Sequence, residues 1–173
     1  VQAILDDPSS PQAQAYQWLR TDPNVTTIPY HQKLQRLALA TLFYATNGDQ
    51  WFRNDGWMNY TVQECQWWPQ EAIRGLDCSD NNDTLVVELS DNNLQGVLPP
   101  EIALLTALRK FDVSNNPGLQ GTLPSQIGQM STMALLAIQN TTIMGSLPTE
   151  IGLLTNVGQI DLYDSLISGT VPT

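Results

Sequence analysis

The chain has 173 residues, 42% of them hydrophobic and only 14% charged, enough for one medium domain with a buried core. Seventeen acidic against seven basic residues leave a formal net charge of −10, and no basic residue follows Lys110. Phosphate backbones and anionic membranes are held by clustered Lys and Arg, so both are excluded as natural partners, and no apolar run reaches the roughly 18 residues that a bilayer demands.

The opening VQAILDDPSS has neither a basic segment nor a long apolar stretch and reads as a mature N-terminus, not a signal peptide. Ser10-Pro11 is a helix start, with Ser as N-cap and Pro at the first helical position. Ala15, Trp18 and Leu19 share a face of that helix, which is expected to stop before Asp22-Pro23. A second start lies near Thr27 and Pro29. Leu34, Leu37, Ala38, Thr41, Leu42 and Ala45 follow at helical spacing until Asn47-Gly48 ends the run. Next come the aromatic, turn-rich NGDQWFRNDGW and then ECQWWPQEAIRGLDC, which holds both cysteines, Cys65 and Cys78. Asn24, Asn59, Asn82 and Asn140 each head an Asn-x-Thr glycan acceptor triplet. Four such triplets, an even cysteine count and an acidic surface point to the secretory route.

From residue 85 the chain repeats itself. GVLP, GTLP, GSLP and GTVP place Pro99, Pro124, Pro148 and Pro172 at spacings of 25, 24 and 24. Upstream of each lies an apolar-x-apolar pair: Val87/Leu89, Phe111/Val113, Leu136/Ile138 and Ile160/Leu162. The Pro117-Gly118 turn accounts for the one longer interval. Alternation turns each apolar pair into a core. Leu94, Leu119, Ile143 and Ile167 are the next inward anchors, and Ile102, Ile127 and Ile151 close each coil. No coil buries its apolar face alone, so stability is a sum over neighbours.

These four units closely resemble the plant-type leucine-rich repeat. The resemblance implies an α/β right-handed solenoid over residues 85–173, its last repeat incomplete, behind an N-terminal cap over 1–84. The pattern's structural asparagine falls on Asn92 and Asn116, but on Thr141 and Ser165 in the later coils, which predicts looser packing there. Asn140 lies one place earlier, at the concave rim. The first 84 residues resemble the cap of plant-type repeat ectodomains, a helix leading to a disulfide-closed segment carrying Trp. The stretch ALATLFYATNGDQWFRNDGW is most similar to secreted repeat proteins of diatoms and related algae. The resemblance implies a Cys65–Cys78 disulfide, worth about 3 kcal/mol on loop-entropy grounds. The wider cysteine spacing implies an inserted loop around Pro69–Arg74, and the helix at 11–20 is extra to the plant pattern.

Enzymatic chemistry finds no foothold. His31 is the only histidine, and the sequence offers no nucleophile-elbow, zinc-protease or phosphate-loop motif. Asp77, Ser79, Asn81, Asp83 and Glu88 roughly follow calcium-loop positions, but Asn82 stands where glycine is required, so a solvated turn is expected. Trp18, Trp51, Trp57, Trp67 and Trp68 all precede the repeats and are expected to form cap core, with Trp67-Trp68 the pair to leave a ring exposed. No catalytic residue, metal or cofactor is expected.

The candidate surface is the concave strand face. Its outward positions are Glu88, Ser90 and Asp91; Arg109, Lys110, Asp112, Ser114 and Asn115; Ala134, Leu135, Ala137, Gln139 and Asn140; then Gln159, Asp161, Tyr163 and Asp164. Glu88, Lys110, Asp112, Gln139, Asp161, Tyr163 and Asp164 are the residues expected to carry binding. Four strands at about 4.8 Å spacing cover only ~300 Å², against about 800 Å² per partner in a standard interface. Val157, Ile160, Leu162 and Ile167 face an open edge, so further repeats or another subunit are expected to stack there. The expected role is a non-catalytic, secreted or cell-surface recognition module for a protein, peptide or glycan. The alternative is an adhesive scaffold of the extracellular matrix or wall.

Overall fold

The structure, a computed structural model, describes residues 7–67 and 75–172. Helix α1 (Pro11–Thr21) starts as its sequence dictates, Ser10 Oγ accepting from the Ala13 N–H at 3.2 Å. It ends at Asp22, which the following proline holds in extended backbone. Helix α2 (Tyr30–Ala45) begins after Pro29 and packs against both α1 and the first coil turn, Pro100–Leu104. Its buried face is therefore wider than the expected stripe: Gln35, Arg36, Leu39, Ala40 and Phe43 are buried, while Leu34, Leu37 and Ala45 are only half-buried.

Five strands form the main sheet, in the order β1 (Leu76–Cys78), β2 (Thr84–Glu88), β4 (Lys110–Asp112), β6 (Leu135–Ala137) and β8 (Gln159–Asp161). Strands β2 to β8 are parallel and in register, aligning Val87, Phe111, Leu136 and Ile160 as one inward row. The first three are fully buried; Ile160 is half-buried, as are Leu162 and Ile167. Strand β1 was not legible as a strand. It runs antiparallel to β2 and covers the edge that the first coil would otherwise expose.

Each coil then turns through a short strand, β3 (Gln95–Val97), β5 (Gly118–Gln120), β7 (Met144–Gly145) or β9 (Leu166–Ile167). The first three are followed by 3-10 turns at Pro100–Leu104, Ser125–Gln129 and Thr149–Leu153. Ile102, Ile127 and Ile151 point inward from those turns. Leu94, Leu119 and Ile143 complete the buried column.

The cap meets the stack through backbone, not only side chains. Gly96 has φ +111°, and a Cβ there would lie 2.3 Å from the Ala45 carbonyl oxygen. The Gln95 N–H donates to the Thr46 carbonyl at 3.1 Å, so the end of α2 takes the place of a preceding coil. The Cys65–Cys78 disulfide, with Cα atoms 5.8 Å apart, ties the 3-10 turn Glu64–Gln66 to β1. The expected insertion at Pro69–Arg74 lies outside the described residues, as does Trp68.

Candidate recognition surface

Register defines the concave floor row by row. Val86, Lys110, Leu135 and Gln159 form one row; Glu88, Asp112, Ala137 and Asp161 form the next. Lys110 Nζ meets Glu88 Oε2 at 2.6 Å, so the basic centre of the floor is neutralised by its neighbour. Asp112 Oδ1 accepts from the Ser114 hydroxyl at 2.6 Å, and Asp161 accepts from Gln159 Nε2 at 2.7 Å. Tyr163 is 62% exposed, and Arg109, Ala134 and Asp164 are also exposed. Ser90, Ser114 and Ala137, expected on the open face, are instead buried. The Arg53 guanidinium donates to the Ser90 carbonyl at 2.6 Å, and the Ser114 hydroxyl is turned to Asp112. Gln139 is half-buried.

Two hydrogen-bond ladders run beside this floor. The inner one is buried. Asn116 Oδ1 accepts from the N–H groups of Asn92 (3.0 Å) and Leu94 (2.9 Å), and its Nδ2 donates to Leu89 O at 3.0 Å in the preceding coil. Asn92 repeats the arrangement toward the cap, accepting from the Arg53 N–H at 2.7 Å and donating to Arg53 O at 3.1 Å. Thr141 and Ser165 reach only their own coils, at Ile138 O and Leu162 O.

The outer ladder was not foreseen. Asp91, Asn115, Asn140 and Asp164 all adopt left-handed backbone, φ +51° to +56°. Asn140 Nδ2 donates to Asn115 Oδ1 at 2.7 Å, and Asn115 Nδ2 leans toward Asp91 Oδ2 at 3.4 Å. The signal was present: Asp or Asn precedes the inner-ladder position in every coil, and these residues tolerate left-handed backbone best after glycine.

In the cap, Trp51, Trp57 and Trp67 are buried and Trp18 is half-buried, stacked on Tyr60 at 4.9 Å. Phe52 is the surprise, 74% exposed beside buried Trp51. Also unforeseen is a buried polar cluster. Arg36 bridges Asp22 and Glu64, at Nε–Oε2 3.0 Å for the latter, and Gln35 donates to Glu64 at 2.7 Å. His31 is exposed. In the β1–β2 turn the Ser79 hydroxyl takes up the Asp83 carboxylate and N–H, and among the described residues no group of three or more His, Cys, Asp or Glu could hold a metal ion. Of the glycan acceptors, Asn24, Asn59 and Asn140 are exposed; Asn82 is half-buried at the hairpin turn, its carbonyl taking Gln35 Nε2 at 2.8 Å.

No protein-family model matches the chain. In sequence it is 34% identical over 65 residues to the receptor-like kinase TMK2 of Arabidopsis thaliana, covering 38% of this chain and 7% of that protein. A probable LRR receptor-like serine/threonine-protein kinase of the same plant is 33% identical over 86 residues, 47% of this chain and 8% of that one. Among solved structures, PEPR1–AtPEP1 superposes with a TM-score of 0.64 at 24% identity, over 79% of this chain and 18% of that chain. The plant peptide hormone receptor RGFR1 in complex with RGF2 gives 0.53 at 26% identity, over 58% and 19%. A plant ice-binding protein gives 0.63 at 20% identity, over 82% and 43%. The first and third are likenesses of fold alone. The chain spans less than a tenth of these two kinases and less than a fifth of the first two solved chains. It shares its fold with plant leucine-rich repeat receptor ectodomains and a distant sequence similarity with Arabidopsis LRR receptor kinases.

Proposed function

We propose that this chain is a non-catalytic recognition module on the extracellular side, a right-handed leucine-rich solenoid that holds a peptide or protein partner on its concave floor. Residues 1–84 serve as its cap and 85–173 as its repeats. The observation that supports this reading best is the in-register floor, four parallel strands deep, whose side chains face outward with acids at Glu88, Asp112 and Asp161. The face's carboxylates, Glu88, Asp91, Asp112, Asp161 and Asp164, outnumber Arg109 and the paired Lys110, which favours a cationic partner steered by the net charge of −10. The likeness to a plant peptide hormone receptor supports a peptide as the ligand.

Selection of a displayed random-peptide library on the secreted protein tests the reading. Enriched peptides are expected to be basic, and to lose binding to an Asp112→Lys, Asp161→Lys double variant. Enrichment of acidic peptides, or binding indifferent to both changes, would contradict it.

A further inference from the structure

A cleft of ≈ 90 Å³ opens where helix α2, the β1–β2 turn and the first coil meet. Leu34, Leu104 and Ala107 are its half-buried apolar walls. Gln35 lies buried in its lining and is held by three bonds: Nε2 donates to Glu64 Oε1 at 2.7 Å and to Asn82 O at 2.8 Å, and Oε1 accepts the Thr84 N–H at 2.6 Å. His31 and Thr106 also line it and are exposed, which puts them at its mouth. Its one carboxylate is Asp83, half-buried immediately before β2.

The lining narrows the ligand. Asp83 Oδ2 accepts from the Ser79 hydroxyl at 3.2 Å, which orients the carboxylate, and Oδ1 has no partner among the described residues. Among those residues Asp83 has no ion pair either: Arg36, the residue after Gln35, is taken by Asp22 and Glu64. No Lys or Arg lines the cleft, and Asp77 and Asp80, exposed on the same hairpin, deepen its negative field. An anion is repelled. A guanidinium pairs best with both oxygens of a carboxylate, and here one is occupied. An ammonium needs a single strong acceptor and brings an apolar stem, which suits three aliphatic walls. Size agrees. A cavity of about 150 Å³ admits benzene, so ≈ 90 Å³ takes a stem of about four heavy atoms and no ring.

We propose that this cleft binds a primary alkylammonium group, its charge at Asp83 and its methylenes against Leu34, Leu104 and Ala107. A free alkyl diamine and the lysine side chain of a peptide share that chemistry. None of the floor residues Glu88, Asp112 and Asp161 lines the cleft, so the site does not depend on the peptide reading of the floor.

His31 is the chain's only histidine, so its ring protons give one assignable set of proton NMR signals at the mouth of the cleft. Titration of the protein at fixed pH and ionic strength with n-butylammonium, n-butylguanidinium, butanol and butyrate tests the proposal. Butylammonium is expected to shift those signals saturably, with a Kd on the order of 1 mM, and the other three to bind at least about tenfold more weakly. Asp83→Asn can still accept from the Ser79 hydroxyl and should weaken butylammonium about tenfold or more, while Asp161→Asn leaves it unchanged. Putrescine and Nα-acetyl-lysine methylamide separate the sources: tighter binding of the first names a free diamine, of the second a peptide side chain. Three results would overturn the proposal: no saturable shift with butylammonium, equal or tighter binding of any of the three comparators, or indifference to Asp83→Asn. The comparators decide on the unaltered protein, whatever the stability of the variant.

Discussion

Asn116 shows how much one side chain organises here. It accepts from two backbone N–H groups and donates across a coil boundary, all in a fully buried setting. Asn116→Ala leaves those groups unpaired and is expected to cost about 1–3 kcal/mol in urea unfolding. Thr141 occupies the equivalent place but reaches only Ile138. Thr141→Asn brings an acceptor toward the Asn116 N–H and is expected to raise the unfolding midpoint; a fall would show that the third coil has no room for the longer side chain. The inner positions were legible by counting through the repeat. The buried cluster was not. Asp22 and Glu64 lie 14 and 28 residues from Arg36, and no local pattern joins them. Removing the guanidinium strands two buried carboxylates, so Arg36→Ala is expected to destabilise by about 3–5 kcal/mol, again read from denaturant unfolding. A loss below 1 kcal/mol would mean that water reaches the pair.

At the scale of elements, legibility followed the source of each element's stability. Helix α1 carries its own start and stop signals, Ser10-Pro11 and Asp22-Pro23, and its bounds were readable within a residue. Helix α2 was readable in extent but not in buried face, because two partners cover it, not one. Strand β1 has three residues and exists through its pairing with β2 and its tether at Cys78. Nothing in Leu76-Asp77-Cys78 specifies a strand alone. Breaking the disulfide by Cys65→Ser with Cys78→Ser is expected to cost about 2–4 kcal/mol, and to loosen β1 from the sheet edge. The exposed edge of β2 should then drive self-association, visible by light scattering. A fully monomeric variant would indicate that β1 holds its place without the bond. The junction of cap and first coil can be tested at Gly96, where Gly96→Ala forces a methyl against the Ala45 carbonyl in left-handed backbone. Gly152 is the internal control, since a Cβ there meets nothing within 4 Å. Calorimetric melting should drop for the first and hold for the second.

Over the whole molecule, the residues before β2 are joined to the repeated units by backbone hydrogen bonds, Gln95 to Thr46 and Phe52 to Asn92. Arg53 pairs with Asn92 at the end of the inner ladder, and the end of α2 lies against Gly96. The repeat was visible in the sequence because four units share one spacing. The bonds that join Arg53 to Asn92 were invisible, because NGDQWFRNDGW does not follow the repeat's spacing. Nearest-neighbour stability then makes the floor a rigid platform, its acids set by strand register and not by flexible loops. A partner held on this floor would shield its carboxylates from solvent. Carbodiimide footprinting of the protein, with and without a library-selected basic peptide, tests it. The expected result is protection of Asp112 and Asp161 on the floor, with Glu101 and Glu150, on the turns Pro100–Leu104 and Thr149–Leu153, labelled as before. Protection of Glu101 and Glu150 with the floor carboxylates unchanged would contradict it.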